Sequence, residues 1–377
     1  MRIVYTIAGL YRPAGMERIV SAKASALAER GCEVLIVTTE QKARPLAFPL
    51  HPTVRTQDLA IGYEDNNGGS FLSKALRHPG KVRRHRKALS ALLSEYRPDI
   101  VVSLFCGDER FLPALKDGSA KVLEVHFSRF KRLQYGRRGI WALADRLRSR
   151  RDLSCARRFD RFVTLTREDM GYWGCPENGV VIPNFLSAFP AHPADLSART
   201  VLAVGRYTHQ KAFDRLLRAW AAAAVPEGWR LRIVGDGEER EALSSLVDTL
   251  GIGGTVLLDG PRADMDAVYR EASILALSSR YEGLPMVLLE AQAYGIPAVA
   301  FNCQCGPSDI ISDGKSGLLV PQGDIPALAK ALETLMNNET LRREMGAEAL
   351  AQSRRWDKDM IMGQWTSLFE DILSSRR

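Results

Sequence analysis

A chain of 377 residues with 46% apolar content can bury a substantial core, and its length favours two or three domains over one. It carries no run of about eighteen apolar residues, and its N-terminus lacks the basic, apolar and small-residue segments of a secretory leader, so a cytoplasmic location is expected. The net charge of +8 hides an asymmetry: basic residues outnumber acidic ones by 33 to 20 over residues 1–200 and are outnumbered by 24 to 19 beyond, leaving +13 and −5.

The first half alternates short β-branched runs with longer helical patterns. RIVYTI is followed by a helix from Gly15 to about Arg30, then by EVLIVTT, DIVVSLF, KVLEVHF, RFVTLT and GVVIP. That alternation reads as βαβ units on a mostly parallel, buried sheet. Basic density peaks in KVRRHRK (Lys81 to Lys87) and again from Arg129 to Arg158. Such a field favours an anionic membrane or a phosphate-linked acceptor; without interleaved aromatics or a reading motif it does not favour nucleic acid, and it also fits a simply solvated face.

Pro183, Pro190 and Pro193 punctuate a stretch with neither periodicity, read as the interdomain linker. The pattern restarts with TVLAVGR, a helix from about Ala212 to Ala224, WRLRIVGD, a helix through Glu239 to Leu250, TVLLDG, SILALSS, IPAVAFN and GLLVP. A last helical pattern begins at Trp356, with Trp365, Leu368, Phe369 and Ile372 in phase. The expected class is α/β: two Rossmann-like domains, residues 1–186 and 187–355, facing across a cleft. The six cysteines lack metal-ligand spacing and sit in a chain too large to need disulfides.

The sharpest constellation is EGLPMVLLE, where Glu282 and Glu290 bracket a strand-to-helix turn and Pro285 suits the first helical turn. Backbone N–H groups at that helix start suit a diphosphate, although two glutamates there also fit ordinary dipole compensation. GRYTHQK places Arg206 and Lys211 in one loop, a fork and a point charge able to neutralise a diphosphate leaving group. In AGMERIV, Gly15 opens a helix and leaves room for a ligand, or simply starts the helix. His126 ends KVLEVHF, in a structural or a substrate-contacting role. GDGEER lacks the third glycine of a dinucleotide fingerprint, and Asp264 and Asp266 read as an N-cap and a first-turn acid, not a metal site.

Taken in order, AGMERIV, VHFS, VIPN, AVGRYTHQK, IVGDG, EGLPMVLLE and GPSDIISDGKSGLLV resemble glycosyltransferase family 4, retaining enzymes of the GT-B fold, over essentially the whole chain. The resemblance implies that Arg206 and Lys211 grip the donor diphosphate, with backbone contacts from Gly283 and Leu284, and that Glu290 binds the nucleotide ribose. It places Glu282 beside the transferred sugar, Gly15 toward the donor, His126 toward sugar and acceptor, Arg262 beside the base and Asn184 at a hinge. Ala14, where the family more often has a second glycine, departs from the pattern. The family fold also returns the final helix, here residues 356–377, to the first domain.

The implied activity is metal-independent, retaining transfer of a hexose or N-acetylhexosamine from a nucleotide sugar, with uridine as the expected base. The acceptor is a saccharide, expected to be lipid-linked, in cell-surface polysaccharide assembly, with peripheral contact between the basic first domain and the inner face of the membrane. A non-hydrolysing nucleotide-sugar epimerase and a non-catalytic nucleotide-sugar-binding protein are the rival readings.

Overall fold

The computed structural model describes residues 1–66, 71–131, 133 and 139–376. Residues 132 and 134–138 of the second basic stretch lie outside them. The chain forms two compact units: residues 1–165, 170–183 and 359–377 make the first, and residues 166–169 with 184–358 the second.

The first unit holds strands β1 (Arg2–Ile7), β2 (Glu33–Thr38), β3 (Arg55–Asp58), β4 (Ile100–Ser103), β5 (Ala120–Glu124), β6 (Arg161–Thr164) and β7 (Gly179–Val181). Its helices are α1 (Gly15–Glu29), α2 (Phe71–Tyr96), α3 (Ile140–Ala156) and α4 (Arg167–Tyr172), the last shared with the second unit. Every pairing is parallel, in the order β3-β2-β1-β4-β5-β6-β7. The inner strands are apolar because helices cover both faces of such a sheet. Edge strand β3 reads RTQD and is largely exposed, so hydrophobic patterning did not announce it.

The second unit holds β8 (Thr200–Val204), α5 (Phe213–Ala222), β9 (Arg230–Val234), α6 (Arg240–Thr249), β10 (Val256–Asp259) and α7 (Met265–Arg270). It continues with β11 (Ile274–Leu277), α8 (Met286–Ala293), β12 (Ala298–Phe301), α9 (Pro307–Ile310), β13 (Gly317–Val320), α10 (Ile325–Asn337) and α11 (Glu339–Ser353). Its sheet is also parallel, in the order β10-β9-β8-β11-β12-β13. Trp220, Leu231, Ile233, Ile274, Val299 and Leu332 lie in one core cluster. Asn184 and Leu186 belong here, and the Leu186 N–H donates to the Trp356 carbonyl at 2.9 Å.

The final helix, α12 (Lys358–Ser374), begins after a 3-10 turn at Arg354–Trp356. Ile361, Met362, Trp365, Leu368, Phe369 and Ile372 are buried at helical spacing, within a stretch that belongs to the first unit from Asp359 on. Trp365 stands over Lys23 of α1, whose ammonium lies 3.8 Å from the ring centroid. That ammonium donates to the Glu124 carboxylate at the end of β5, and both side chains are shut away from water. α1, β5 and α12 thus meet at one buried charge.

Burial by itself would raise the Glu124 carboxyl, but Lys23 and His126 beside it hold it down at about 2. A depressed carboxyl adds stability above its unfolded value of about 4.3, and that stability fades as pH falls through the folded value. Glu124→Gln is therefore expected to cost about 3–5 kcal/mol at neutral pH by leaving Lys23 unpaired, and to flatten the acid limb of the pH–stability curve. Urea melts at neutral and acidic pH measure both; midpoints matching the parent's throughout would refute the charged pair.

Candidate active site

In an open parallel sheet, ligands bind beyond the carboxyl ends of the strands, where the strand order reverses. In the second unit that reversal lies between β8 and β11, so the loops leaving those strands, residues 205–212 and 278–285, flank it. Those two loops hold GRYTHQK and the EGLP of the second motif.

The first loop is anchored from beneath. Tyr207 is fully buried, with its hydroxyl 2.7 Å from the Ile233 carbonyl and 2.9 Å from that of Asp259. Gly235 and Gly237 of GDGEER pack backbone to backbone against the loop. A Cβ on Gly237 would stand 2.4 Å from the Tyr207 carbonyl, and one on Gly235, at φ 144°, 2.0 Å from that of Gly205. These glycines support the neighbouring loop by giving it room.

The two loops are then laced together. The Arg280 N–H donates to the Gln210 carbonyl (2.8 Å), Gln210 Nε2 to the Tyr281 carbonyl (3.0 Å), and Ser278 Oγ to the Lys211 carbonyl (2.9 Å). This brings Lys211 Nζ to 2.8 Å from Glu282 Oε1, which also accepts from Ser279 Oγ at 2.6 Å. Glu282 is only 6% exposed. Its N–H donates to the Gln304 carbonyl and its carbonyl accepts from Cys305 N–H, fixing it to the loop after β12. Burial, then the Glu282 carboxylate, push the nearby Cys303 thiol well above its ordinary range.

Arg206, in the same loop as Lys211, is exposed, and its side chain makes no ion pair or hydrogen bond among the described residues. Gly283 and Leu284 precede α8, whose N-cap is Pro285 and whose start no side chain caps. Pro285 thus stands one place before the first helical turn, and the turn's N–H groups are the orphan donors of a helix start. Glu290 is the fifth residue of α8 and turns elsewhere, accepting a 2.6 Å bond from the Tyr269 hydroxyl. Tyr269 stacks on Tyr294 at 5.0 Å, and Tyr294 donates to Asp266. The two glutamates therefore serve two separate places.

Arg262 has its Nε 3.0 Å from both carboxylate oxygens of Asp259, and Arg232 reaches Asp259 as well. Hydrogen bonding from Arg262 leads the causes that pull the Asp259 carboxyl below its usual range. Asp264 caps α7 through the Ala267 N–H (3.1 Å), while Asp266 pairs with Arg270 (2.6 Å).

In the first unit the strand order reverses between β1 and β4. Gly15 opens α1 beyond β1, exposed, with no side-chain cap and open space where a Cβ would stand. His126 lies just beyond β5, mostly buried, with Nε2 2.9 Å from Glu124 Oε1, so the ring faces the Lys23–Glu124 pair. Two acids in the loop after β4 escaped the sequence reading. Asp108 accepts from Thr6 (2.5 Å) and Ser103 (2.6 Å), and burial followed by Asp108 pushes Glu109 up to about 7. Tyr269 and Ser279 were missed as well, since only the fold brings them to the two glutamates.

Gly237→Ala should destabilise the chain by about 1–3 kcal/mol through the overpacked Tyr207 loop. Gly254→Ala, where a Cβ meets nothing within 4 Å, should stay within about 0.5 kcal/mol of the parent. Paired thermal melts check this, and equal midpoints would show that the two loops do not depend on each other.

Residues 14–185 match the family model for the glycosyl transferase 4-like domain, and residues 186–352 that for glycosyl transferases group 1. The chain is 39% identical over 198 residues to an exopolysaccharide phosphotransferase of Streptomyces coelicolor, covering 52% of this chain and 21% of that protein. It is 34% identical over 220 residues to the amylovoran biosynthesis glycosyltransferase AmsD of Erwinia amylovora, covering 55% of this chain and 62% of that one. The chain thus spans less than two thirds of either relative. Among solved structures, Anabaena HepE in complex with UDP-glucose superposes with a TM-score of 0.75 at 18% identity, over 100% of both chains. With two family models meeting at residues 185 and 186 and the fold shared along its full length, the chain belongs to the group 1 glycosyltransferases and has their GT-B fold.

Proposed function

We propose that this protein is a retaining hexosyltransferase that moves a hexose or N-acetylhexosamine from a uridine-diphosphate sugar to a saccharide acceptor carried on a lipid diphosphate, in assembly of a cell-surface polysaccharide. In this reading residues 1–186 serve the acceptor, residues 187–355 hold the donor, and the helical segment 356–377 completes the first domain. The observation that carries it is the Lys211–Glu282 pair at the strand-order reversal, beside an exposed Arg206 and an uncapped helix start.

A diphosphate leaving group gains charge as the glycosidic bond breaks, so fixed cations and orphan N–H groups favour the transition state over the bound donor. Arg206 and Lys211 would hold that charge, with the N–H groups at Gly283, Leu284 and the start of α8. Glu282, held by Ser279 and Lys211, would face the transferred sugar, and Glu290, oriented by Tyr269, would accept from the ribose hydroxyls. Arg262, held by Asp259, would border the base. Gly15 and His126 would meet donor and sugar from the first domain. The departing diphosphate would take the acceptor's proton on the face it leaves, giving retention without a dedicated base.

No metal enters this scheme, and Asp264 and Asp266 are already engaged by a helix cap and by Arg270. The exopolysaccharide and amylovoran names of two relatives support the pathway class. The +13 charge of residues 1–200 supports peripheral contact with the anionic inner face of a membrane.

Thermal shift across a panel of nucleotide sugars should single out a uridine donor, and nucleotide release should then require a polyprenyl-diphosphate-linked saccharide and survive EDTA. Lys211→Met should lower kcat/KM by about 10²-fold or more. Glu282→Ala should abolish transfer yet keep donor-induced stabilisation. Conversion of the donor with no acceptor present would instead identify an epimerase, and an active Glu282→Ala would remove that residue from the chemistry.

A further inference from the structure

Up to Asp152 helix α3 is built inside out, while Leu153, Cys155 and Ala156 at its far end pack against the core. Asp145, Ser149 and Asp152 are buried, whereas Leu143 is 59% and Leu147 50% exposed. At 100° per residue the two leucines lie about 40° apart on the outer face, with Arg146 and Arg150 to one side of them and Arg151 to the other. All three arginines are exposed. Trp141, at the helix start, is 41% exposed. A helix on a water-facing surface has the opposite arrangement, with its apolar stripe inward. Among the described residues only seven large hydrophobics are conspicuously exposed, and Leu133, Trp141, Leu143 and Leu147 are four of them.

The neighbouring helix α2 carries further exposed basic groups. Arg83, Arg84, Arg86 and Lys87 of α2 are exposed. Burial, then Arg110, Arg148 and Lys81, push the His78 ring below its ordinary value, so basic groups from α2, the loop after β4 and α3 share one neighbourhood. Among the described residues no helix is long and apolar enough to cross a membrane. An outward leucine pair rimmed by arginines fits a surface that is apolar within and anionic at its boundary.

We propose that the outer face of α3 is a membrane-seating surface: Leu143 and Leu147 enter the acyl boundary of an anionic phospholipid layer while Arg146, Arg150 and Arg151 hold its phosphates. This rests on, and makes specific, the peripheral membrane contact proposed above. It commits one helix, not the basic half as a whole, to the task.

The full chain is tested by co-sedimentation with equimolar phosphatidylcholine–phosphatidylglycerol vesicles and with pure phosphatidylcholine vesicles. The parent should partition onto the anionic vesicles and weaken as salt rises. Leu143→Ser with Leu147→Ser should cut partitioning at least tenfold at every salt concentration. Replacing Arg146, Arg150 and Arg151 by Gln should cost roughly fivefold per arginine and remove most of the salt dependence. Leu257→Ser, at an exposed leucine of the second unit, should change nothing. Thermal melts confirm that each variant is folded.

Undiminished binding by the double serine variant, or equal binding to both vesicle types, would overturn the proposal. So would a parent dimer that the double variant dissociates with no vesicle binding by either, which would assign the face to a second copy of the chain. Nucleotide release with a saccharide on a short, water-soluble polyprenyl diphosphate, and no vesicles, separates the two readings. If the proposed transfer fails, release is absent while vesicle binding stands; if the seating surface fails, release persists while the leucines prove irrelevant to vesicles.

Discussion

Everything at the candidate site depends on giving partners to a carboxylate that water scarcely reaches. Glu282 is enclosed by the loops after β8, β11 and β12, where a carboxylate without hydrogen-bond or ion partners would be costly. The Lys211 ammonium at 2.8 Å and the Ser279 hydroxyl at 2.6 Å supply those partners. Lys211 in turn has a position only because Ser278 holds its carbonyl and Tyr207 anchors its loop. Removing any of these supports would relax the pair before it touched the chemistry.

That pair is also the reason the site is poised. Lys211 retains some solvent exposure, while Glu282 has almost none. A donor diphosphate bound as proposed would meet an ammonium already held in place by Glu282, together with Arg206, whose side chain has no ion pair among the described residues. The cost of ordering the lysine has been met during folding, which is the physical content of preorganisation. The first unit uses the same device for another end. Lys23 and Glu124 are shut in entirely, and the Trp365 ring over Lys23 ties the last helix to the sheet. There the charges specify how α12 seats, and His126, turned toward Glu124, inherits its orientation from that arrangement.

Period and turn chemistry made most of this architecture readable. The twelve apolar runs became twelve of the thirteen strands found among the described residues because buried parallel strands need continuous Val, Ile and Leu, while β3, a polar edge, carries no such mark. The Glu282–Lys211 encounter was approachable because both residues sit in loops that strand order places side by side. Tyr269 and Ser279 were not, since nothing local in AVYREA or SSRYEG says which carboxylate each will meet. Gly235 and Gly237 were set aside as a dinucleotide fingerprint for want of a third glycine, and nothing in the sequence pointed to their use in the fold, where their missing side chains allow contact between loops. The Asp108–Glu109 cluster was invisible for the opposite reason, because two adjacent acids after a strand look like solvated loop residues until burial is known.

The basic stretch over α3 shows where composition stops being informative. Counting arginines reveals an anion-seeking region but leaves a solvated face and a docking face indistinguishable, because both need charge outside. What separates them is the fate of the leucines. Had Leu143 and Leu147 turned inward and Asp145, Ser149 and Asp152 outward, the arginines would be ordinary solubilising residues. The fold does the reverse, burying two acids whose desolvation needs compensation and leaving two leucines in water. Both choices run against the gradient that folds the rest of the chain, and a surface that replaces water over the leucines removes half of that conflict.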